Sequence, residues 1–526
     1  MNLFQKLLLA PAALGLMAPL AVDANRPASA ADLNIAGVSQ YGSSADQVTS
    51  ITQFSDVQPT DWAYQALSNL IERYGCVAGY PNGTYRGSRA MTRYEAAALL
   101  NACLDRITEV TDELKRLMKE FEKELAVLKG RVDGLEAKVA ELEATQFSTT
   151  TKLSGLATFV LGANAFGGSA SRLVDAAKRD YGATTFNYDV QLTFDTSFTG
   201  NDLLRTNLRA GNFADSSFGG AGPSNLSQLE VAFQEDLGNA DGGDVIAIDR
   251  LFYQFPIGDF TFTLGGVVGQ EDMLAIWPSV YPAETVLDVL TLGGAPAAYN
   301  KNLGAGAGVW WQKNGFAVSA NYVAANGDVG NPNEGGIATD GAGGTGTVQI
   351  GYTAEQWGIA AIYSYIQNAN DLIVYATNFA LDSFAVPGDT SAVGLSAYWQ
   401  PSESGWIPSI SAGWGINSTN YDTNNERGLV STSQSWSVGL QWDDAFSKGN
   451  ALGMAVGQPT FATSLKGGDT PRDGNYAWEW WYEVQVTDHI AVTPALFYLS
   501  RPLGGDTPDG RSFNQLGGLI KTSFKF

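Results

Sequence analysis

Histidine, cysteine and charge are all scarce in this 526-residue sequence, and each scarcity removes a class of function. With His489 the sole imidazole, in an expected turn, histidine-based triads and multi-histidine metal sites are unavailable. No carboxylate pair is placed by spacing into an acid/base site, and no serine has an identifiable base. The sequence therefore gives no catalytic residue, no metal site and no cofactor, and is read as not an enzyme. Lysine and arginine together number 31 against 54 acids, so the net charge of −23 argues against nucleic acid as a partner, since binding phosphates needs a basic surface. After the N-terminus no apolar run is long enough to cross a bilayer as a helix.

What is present falls into blocks. Lys6 precedes the run LLLAPAALGLMAPLAV, and Ala28-Ser29-Ala30 follows with the small-x-small pattern of a secretory cleavage site, so residues 1–30 read as a signal peptide. Export places the two cysteines, Cys76 and Cys103, in an oxidising compartment. A disulfide between them would contribute about 3 kcal/mol in the chain-entropy model; two buried thiols are the alternative. Residues 31–52 are a polar, flexible lead-in. Residues 53–107 read as helix, loop, helix: Trp62, Ala66, Leu67, Leu70 and Ile71 recur at helical spacing after Pro59-Thr60-Asp61, glycines and Pro81 break the chain, and Thr92 with Glu95 forms a capping box.

Those residues resemble the S-layer homology (SLH) domain. The match rests on Phe54-Ser55-Asp56-Val57, Trp62-Ala63, Gly79-Tyr80-Pro81-Asn82-Gly83-Thr84-Tyr85 and Thr92-Arg93-Tyr94-Glu95. The resemblance implies binding to peptidoglycan or a polysaccharide linked to it, with Arg93 meeting a ligand carboxylate through its guanidinium fork and Asp56, Trp62 and Gly83 beside it. Glu95 is better read as a helix brace.

Residues 108–146 continue an apolar seam that starts at Ile107 and runs through Val110, Leu114, Leu117, Phe121, Leu125, Leu128, Val132, Leu135, Val139 and Leu142. Spacings of three and four, with one stutter between Phe121 and Leu125, predict a coiled coil whose oligomer number the pattern does not fix.

From Phe147 to Phe526 a two-residue period takes over. In YAWEWWYEVQV, residues 476–486, the side chains of Tyr476, Trp478, Trp480, Tyr482, Val484 and Val486 share one face, while Glu479, Glu483 and Gln485 share the other. Short turns at Lys313-Asn314-Gly315, Pro401 to Gly405 and Thr487-Asp488-His489 alternate with long polar links at 327–346, 417–434 and 458–475. That rhythm predicts a membrane β-barrel with periplasmic turns and extracellular loops, its aromatic face toward outer-membrane lipid and its glutamates, Glu479 and Glu483, lining a wet interior. Thirteen strands count backward from Phe526 to Val245, and four more are proposed near 152–165, 186–198, 202–213 and 228–236. Barrels of single bacterial chains have even strand numbers, so sixteen antiparallel strands are expected and one early assignment must fail. The link 269–300 is the candidate for a loop folding into the lumen.

The order SLH domain, coiled coil, barrel resembles the cyanobacterial outer-membrane porins, whose barrel is similar to the carbohydrate-selective OprB type and which are often labelled iron-uptake porins. SFTGNDLLRTNLRAGN (197–212), DRLFYQFPIG (249–258) and GMAVGQP (453–459) carry that likeness, and a last strand ending in Phe526 resembles the signal by which bacterial outer-membrane barrels are recognised for insertion. The resemblance implies a homotrimer in the outer membrane, with the SLH domain and coiled coil in the periplasm. The expected function is passive passage of small hydrophilic solutes, inorganic ions including iron, or sugars. After Gln146 come 36 acids and 17 bases, a balance of −19 that predicts a weak cation preference. A mainly structural tether between outer membrane and wall is the alternative.

Overall fold

The computed structural model describes residues 50–61, 64–69, 71–72, 84–85, 119, 150–235, 243–282, 286–368, 372–468 and 470–526. The chain divides into two compact units, Met1–Gln146 and Phe147–Phe526. The signal peptide, Trp62, Gly83, Arg93, both cysteines and the coiled-coil seam lie outside the described residues. In the first unit Ile51, Phe54, Leu67 and Ile71 are buried together, the last two carried by or just after helix α1 (Tyr64–Asn69), with Val57, Tyr64 and Tyr85 packed against them. Asp56 accepts the Tyr85 backbone N–H at 2.6 Å, which ties the first segment to the loop containing Tyr85.

The second unit is a closed, antiparallel barrel of sixteen strands in which every strand pairs with its sequence neighbours and β1 with β16. In order these are β1 Thr151–Gly167, β2 Thr184–Thr196, β3 Leu203–Gly211, β4 Ala247–Ile257, β5 Phe260–Gly269, β6 Leu303–Lys313, β7 Phe316–Ala324 and β8 Gly344–Thr353. The circuit continues with β9 Trp357–Gln367, β10 Gly388–Trp399, β11 Ser409–Tyr421, β12 Val430–Asp443, β13 Ala451–Leu465, β14 Tyr476–Thr487, β15 Ile490–Ser500 and β16 Asn514–Lys525. Closure runs from Leu156↔Lys525 to Gly167↔Asn514, and Phe526 extends it by exchanging backbone hydrogen bonds with Gly155. No strand edge is left open, as hydrocarbon requires.

The pleat sorts side chains by face, except where register shifts interrupt the ladder, as between β3 and β4 at Asn207/Leu208. Along β9 the residues alternate exposed and buried from Trp357 to Ile366, so Ile359, Tyr363 and Tyr365 face outward while Ile362 and Ser364 face inward. Trp480 and Tyr476 are likewise exposed on β14. The β6–β7 turn uses Asn314 and Gly315, both at positive φ (53° and 83°), the pairing that a two-residue hairpin turn of matching twist demands.

Two sequence expectations are corrected. The segment near 228–236 is not a strand: Leu229 makes one isolated bridge to Leu287 and is buried inside the barrel, because its apolar residues meet other loops rather than lipid. Its removal leaves the sixteen. The polar links at 417–434 and 458–475 are also shorter than expected, since β11, β12 and β13 reach Tyr421, Val430 and Leu465. Serine, threonine, asparagine and glutamine occupy both faces there, so hydrophobic alternation stops while backbone pairing continues.

Candidate functional site

Short turns gather at the barrel end that holds the start of β1 and the end of β16, and the long connections gather at the other. Three of the long ones turn inward: L2 (212–246), L3 (270–302) and L5 (368–387).

L3 is seated on a ledge of inward-facing polar side chains spread over seven strands. Ser319 on β7 accepts from Ala275 N at 2.8 Å, Gln349 on β8 donates to the Tyr299 hydroxyl at 3.1 Å, and Ser364 on β9 donates to Ala298 O at 2.7 Å. Ser396 on β10 and Ser435 on β12 donate to the carbonyls of Gly293 and Gly294 at 2.7 and 2.9 Å, while Ser411 on β11 accepts from Val280 N at 2.9 Å. Glu479 on β14 ends the row, accepting from Leu287 N at 2.7 Å and from the Tyr281 hydroxyl, to which Trp481 Nε1 also donates at 2.8 Å. A serine offers a hydroxyl without filling space, so loop backbone can lie against the wall. At Gly413 a Cβ would stand 1.7 Å from Gly293 O, which only glycine permits.

L2 and L5 complete an interior body. L2 pairs with L3 through Glu230 N to Val286 O (3.0 Å) and Asp288 N to Gln228 O (3.2 Å). L5 pairs with β13 through Thr377 N to Thr460 O (3.0 Å) and Thr460 N to Tyr375 O (3.1 Å), and it receives the Asn225 side chain of L2 at Val374 O. Leu226, Leu229 and Val231 of L2, Leu287, Leu290 and Leu292 of L3, and Ile373 and Phe384 of L5 form one apolar cluster with inward residues of the wall such as Val160, Ile362 and Phe497. The lumen is therefore not simply hollow: on these strands its wall is dry and loop-covered.

The β2–β4 wall is different. Arg205 on β3 holds Asp195 on β2 through two hydrogen bonds of 2.8 Å, and Arg209 holds Asp189 at 2.7 Å with Asp249 of β4 at 3.8 Å. Arg250 contacts Asp249 at 3.0 Å, Glu271 at 2.8 Å and Asp272 at 2.6 Å, clamping the start of L3 to β4. Lys301, at the end of L3, lies 2.9 Å from Asp288 and 3.7 Å from Glu230. Most of these side chains keep partial exposure, up to 36% and 29% for Arg205 and Asp195. The result is a wet, charged strip of four cations and seven carboxylates, a formal balance of −3, facing an otherwise apolar filling.

The residues singled out by sequence are dispersed. Glu479 faces inward but is 0% exposed beneath L3, so it anchors the loop instead of presenting charge to water. Glu483 lies two positions further on the same side, half-buried and opposite Ala451. Asp56 belongs to the first unit and braces Tyr85. The charged strip itself was missed, although its signal was present. Asp189, Gln191, Thr193 and Asp195 repeat at period two on β2, as do Arg205, Asn207 and Arg209 on β3, and antiparallel register brings acid to base.

The family model described as carbohydrate-selective porin, OprB family, matches residues 109–526, and the S-layer homology domain model matches residues 53–97. An uncharacterized protein of Nostoc sp. is 34% identical over 92% of this chain and 86% of its own length, and one of Synechocystis sp. is 31% identical over 93% of each. The outer membrane protein SlpA of Deinococcus radiodurans is 38% identical over 18% of this chain and 9% of that protein. The high-pH structure of Pseudomonas putida OprB superposes with a TM-score of 0.45 at 14% identity, covering 74% of this chain and 96% of that one. With its closed sixteen-stranded barrel and an N-terminal SLH domain, this chain is an outer-membrane porin and belongs to the carbohydrate-selective OprB family.

Proposed function

We propose that the porin gives passive, cation-preferring passage to small hydrophilic solutes along the β2–β4 wall. The observation that carries this reading is the strip of seven carboxylates against four cations, partly exposed, beside a lumen filled elsewhere by apolar loop. Fixed charge of one sign at close quarters raises the local concentration of counter-ions and opposes co-ions. Inorganic ions, iron among them, and uncharged sugars are the solute classes that fit a path lined by hydrogen-bonding side chains. Three such chains assemble through the coiled coil of residues 108–146 after removal of residues 1–30. The SLH domain then holds peptidoglycan or a linked polymer through Arg93, with Asp56, Trp62 and Gly83 around it. A Cys76–Cys103 disulfide would close that domain's loop. The SLH match also supports a second task, the tethering of outer membrane to wall.

Single-channel recording in a planar bilayer tests the first reading. Under a potassium chloride gradient the reversal potential should report cation preference, and added glucose or maltose should lower conductance if sugars share the path. Anion preference would refute the role given to the strip, and silence from folded, inserted protein would leave only the tether.

A further inference from the structure

At the barrel end where β1 starts, the periplasmic end, the turns are of two kinds. Those at 258–259, 314–315, 354–356 and 488–489 have two or three residues and no aromatic side chain. Those at 197–202, 400–408 and 444–450 are longer, and each holds an apolar ring in the open: Phe198 is 65% exposed, Trp406 97% and Phe446 89%. All three turns lean the same way. Phe198 packs on Tyr253 with 6.4 Å between ring centroids, and Asp202 fixes that turn by accepting Phe198 N at 3.0 Å and the Tyr253 hydroxyl at 2.7 Å. Trp442 Nε1 donates to Trp406 O at 3.0 Å, and Phe446 meets the Tyr482 ring edge to face at 5.7 Å. The three residues leaned on point outward by parity. Tyr253 stands opposite exposed Leu264, Trp442 follows by two residues Leu440, which stands opposite exposed Ile410, and Tyr482 follows exposed Trp480 by two.

We propose that these three turns are lipid-binding feet: Phe198, Trp406 with its exposed neighbour Ile407, and Phe446 enter the headgroup–acyl boundary of the periplasm-facing leaflet, with phospholipid as their partner. The patch is continuous with the lipid-facing wall, because each ring extends an outward aromatic residue past the end of its strand. An aromatic ring gains from that boundary, where its apolar body leaves water and a polar edge such as the Trp406 indole N–H stays hydrated. The backbone is bent to the purpose at 444–450, where Asp444 and Phe446 adopt φ of 56° and 62°, an uncommon conformation for side chains of that size. Ser404 Oγ donates to Asp444 Oδ2 at 2.8 Å, so the turns bearing Trp406 and Phe446 are held as one foot. The β2–β3 turn with Phe198 lies eight strands from the β10–β11 turn in a circuit of sixteen, on the opposite side of the barrel. A second copy of the chain would cover one arc, whereas lipid is the medium met on both. The assignment is independent of the solute path.

The experiment places the full chain, labelled with 5-fluorotryptophan, in phosphatidylcholine nanodiscs and follows the Trp406 fluorine resonance, identified by its loss in Trp406→Phe. Two paramagnetic probes are compared, 5-doxyl phosphatidylcholine in the bilayer and a gadolinium chelate in the water. The lipid probe should broaden Trp406 at least about fivefold more than the chelate does, as suits a ring ~5–10 Å inside the interface. Equal or stronger broadening by the chelate puts the ring in periplasmic water and overturns the proposal. Protection from both probes means that protein covers the ring, a second copy of the chain above all, and overturns it as well. Where Trp406→Phe forms no folded barrel, Phe446→Trp supplies a new resonance on the same foot. Phe198→Trp supplies one on the opposite side, and preferential broadening by the lipid probe is expected there too. A Phe198→Trp signal that only the chelate broadens would refute the assignment of that turn.

Discussion

Replacing Glu479 by alanine should unseat L3 while leaving the barrel intact. The carboxylate is fully buried and accepts from Leu287 N at 2.7 Å and from Tyr281 OH. Hydrogen bonds to a charged group contribute roughly 1.5–3 kcal/mol each, and a buried donor left without an acceptor costs about 1–3 kcal/mol. Tyr281 Oη still accepts from Trp481 Nε1, but the Tyr281 hydroxyl proton and Leu287 N–H both lose the carboxylate they donate to; the relief of no longer burying a carboxylate offsets part of that penalty. A net loss of about 3 kcal/mol in seating is expected, which is roughly a hundredfold in the ratio of seated to released loop. The backbone pairs Ala455↔Glu479 and Glu479↔Phe497 involve no side chain, so strand register and heat resistance of the barrel should persist. Amide exchange of Leu287 and of Tyr281 should accelerate, and single-channel records should show larger, noisier openings. If exchange and conductance both match the native protein, the ledge does not hold the loop and the account of L3 is wrong.

Charge changes in the strip give an opposed pair. Arg205→Gln should raise the cation-to-anion permeability ratio and Asp195→Asn should lower it, each by roughly two- to fivefold, from about 1 kcal/mol for a unit charge at ~4 Å in water; shifts of the same sign for both would contradict the electrostatic reading. In L7 (466–475), burial pushes the Asp473 carboxyl from the usual 3.8 up to about 6, while Thr377 Oγ1, Ala462 N and Gly505 N donate to it at 2.7, 2.6 and 2.8 Å. A raised folded-state value means the folded protein holds the proton more firmly, so this junction gains stability as pH falls through 6 toward 3.8 and is weakest at neutral pH. Exchange of the Ala462 and Gly505 amides, corrected for intrinsic rates, should therefore be slower at pH 5 than at pH 7.5, and Asp473→Asn should flatten the difference. Arg93→Ala should weaken retention on purified cell-wall polymer at least about tenfold with conductance unchanged; undiminished retention would remove Arg93 from the polymer site.

How much of this was legible in sequence depends on which medium each side chain meets. Outward residues meet lipid, a uniform solvent, so period two in Tyr476, Trp478 and Trp480 gave thirteen strands and their short turns directly. Inward residues meet loops, whose placement is decided by contacts far away in the chain. Leu229 and Val231 therefore imitated a strand until their partners, Leu287 and Leu226 among them, were known. Glu479 could be assigned to the inner face by parity, yet whether that face was wet depended on L3, nearly two hundred positions earlier; the Tyr281–Glu479 bond spans 198 residues. The candidate link 269–300 does enter the lumen, and its run of Val289, Leu290 and Leu292 suits a body of loops rather than an open channel.

The seating of L3 on one side and the charged strip on the other divide the inner surface by tolerance to change. A substitution along the serine ledge or at Gly413 must be matched within L3, because each wall position there meets a loop backbone atom. On β2 and β3, by contrast, Asp195 and Arg205 pair side chain to side chain across the strands and keep partial exposure, so no loop backbone atom has to be matched when their charges change. Along the inner circumference the positions that must co-vary with a loop backbone and the positions that need only keep a cross-strand charge partner thus lie on different strands, with Arg250, which holds both Asp249 and the start of L3, at the join.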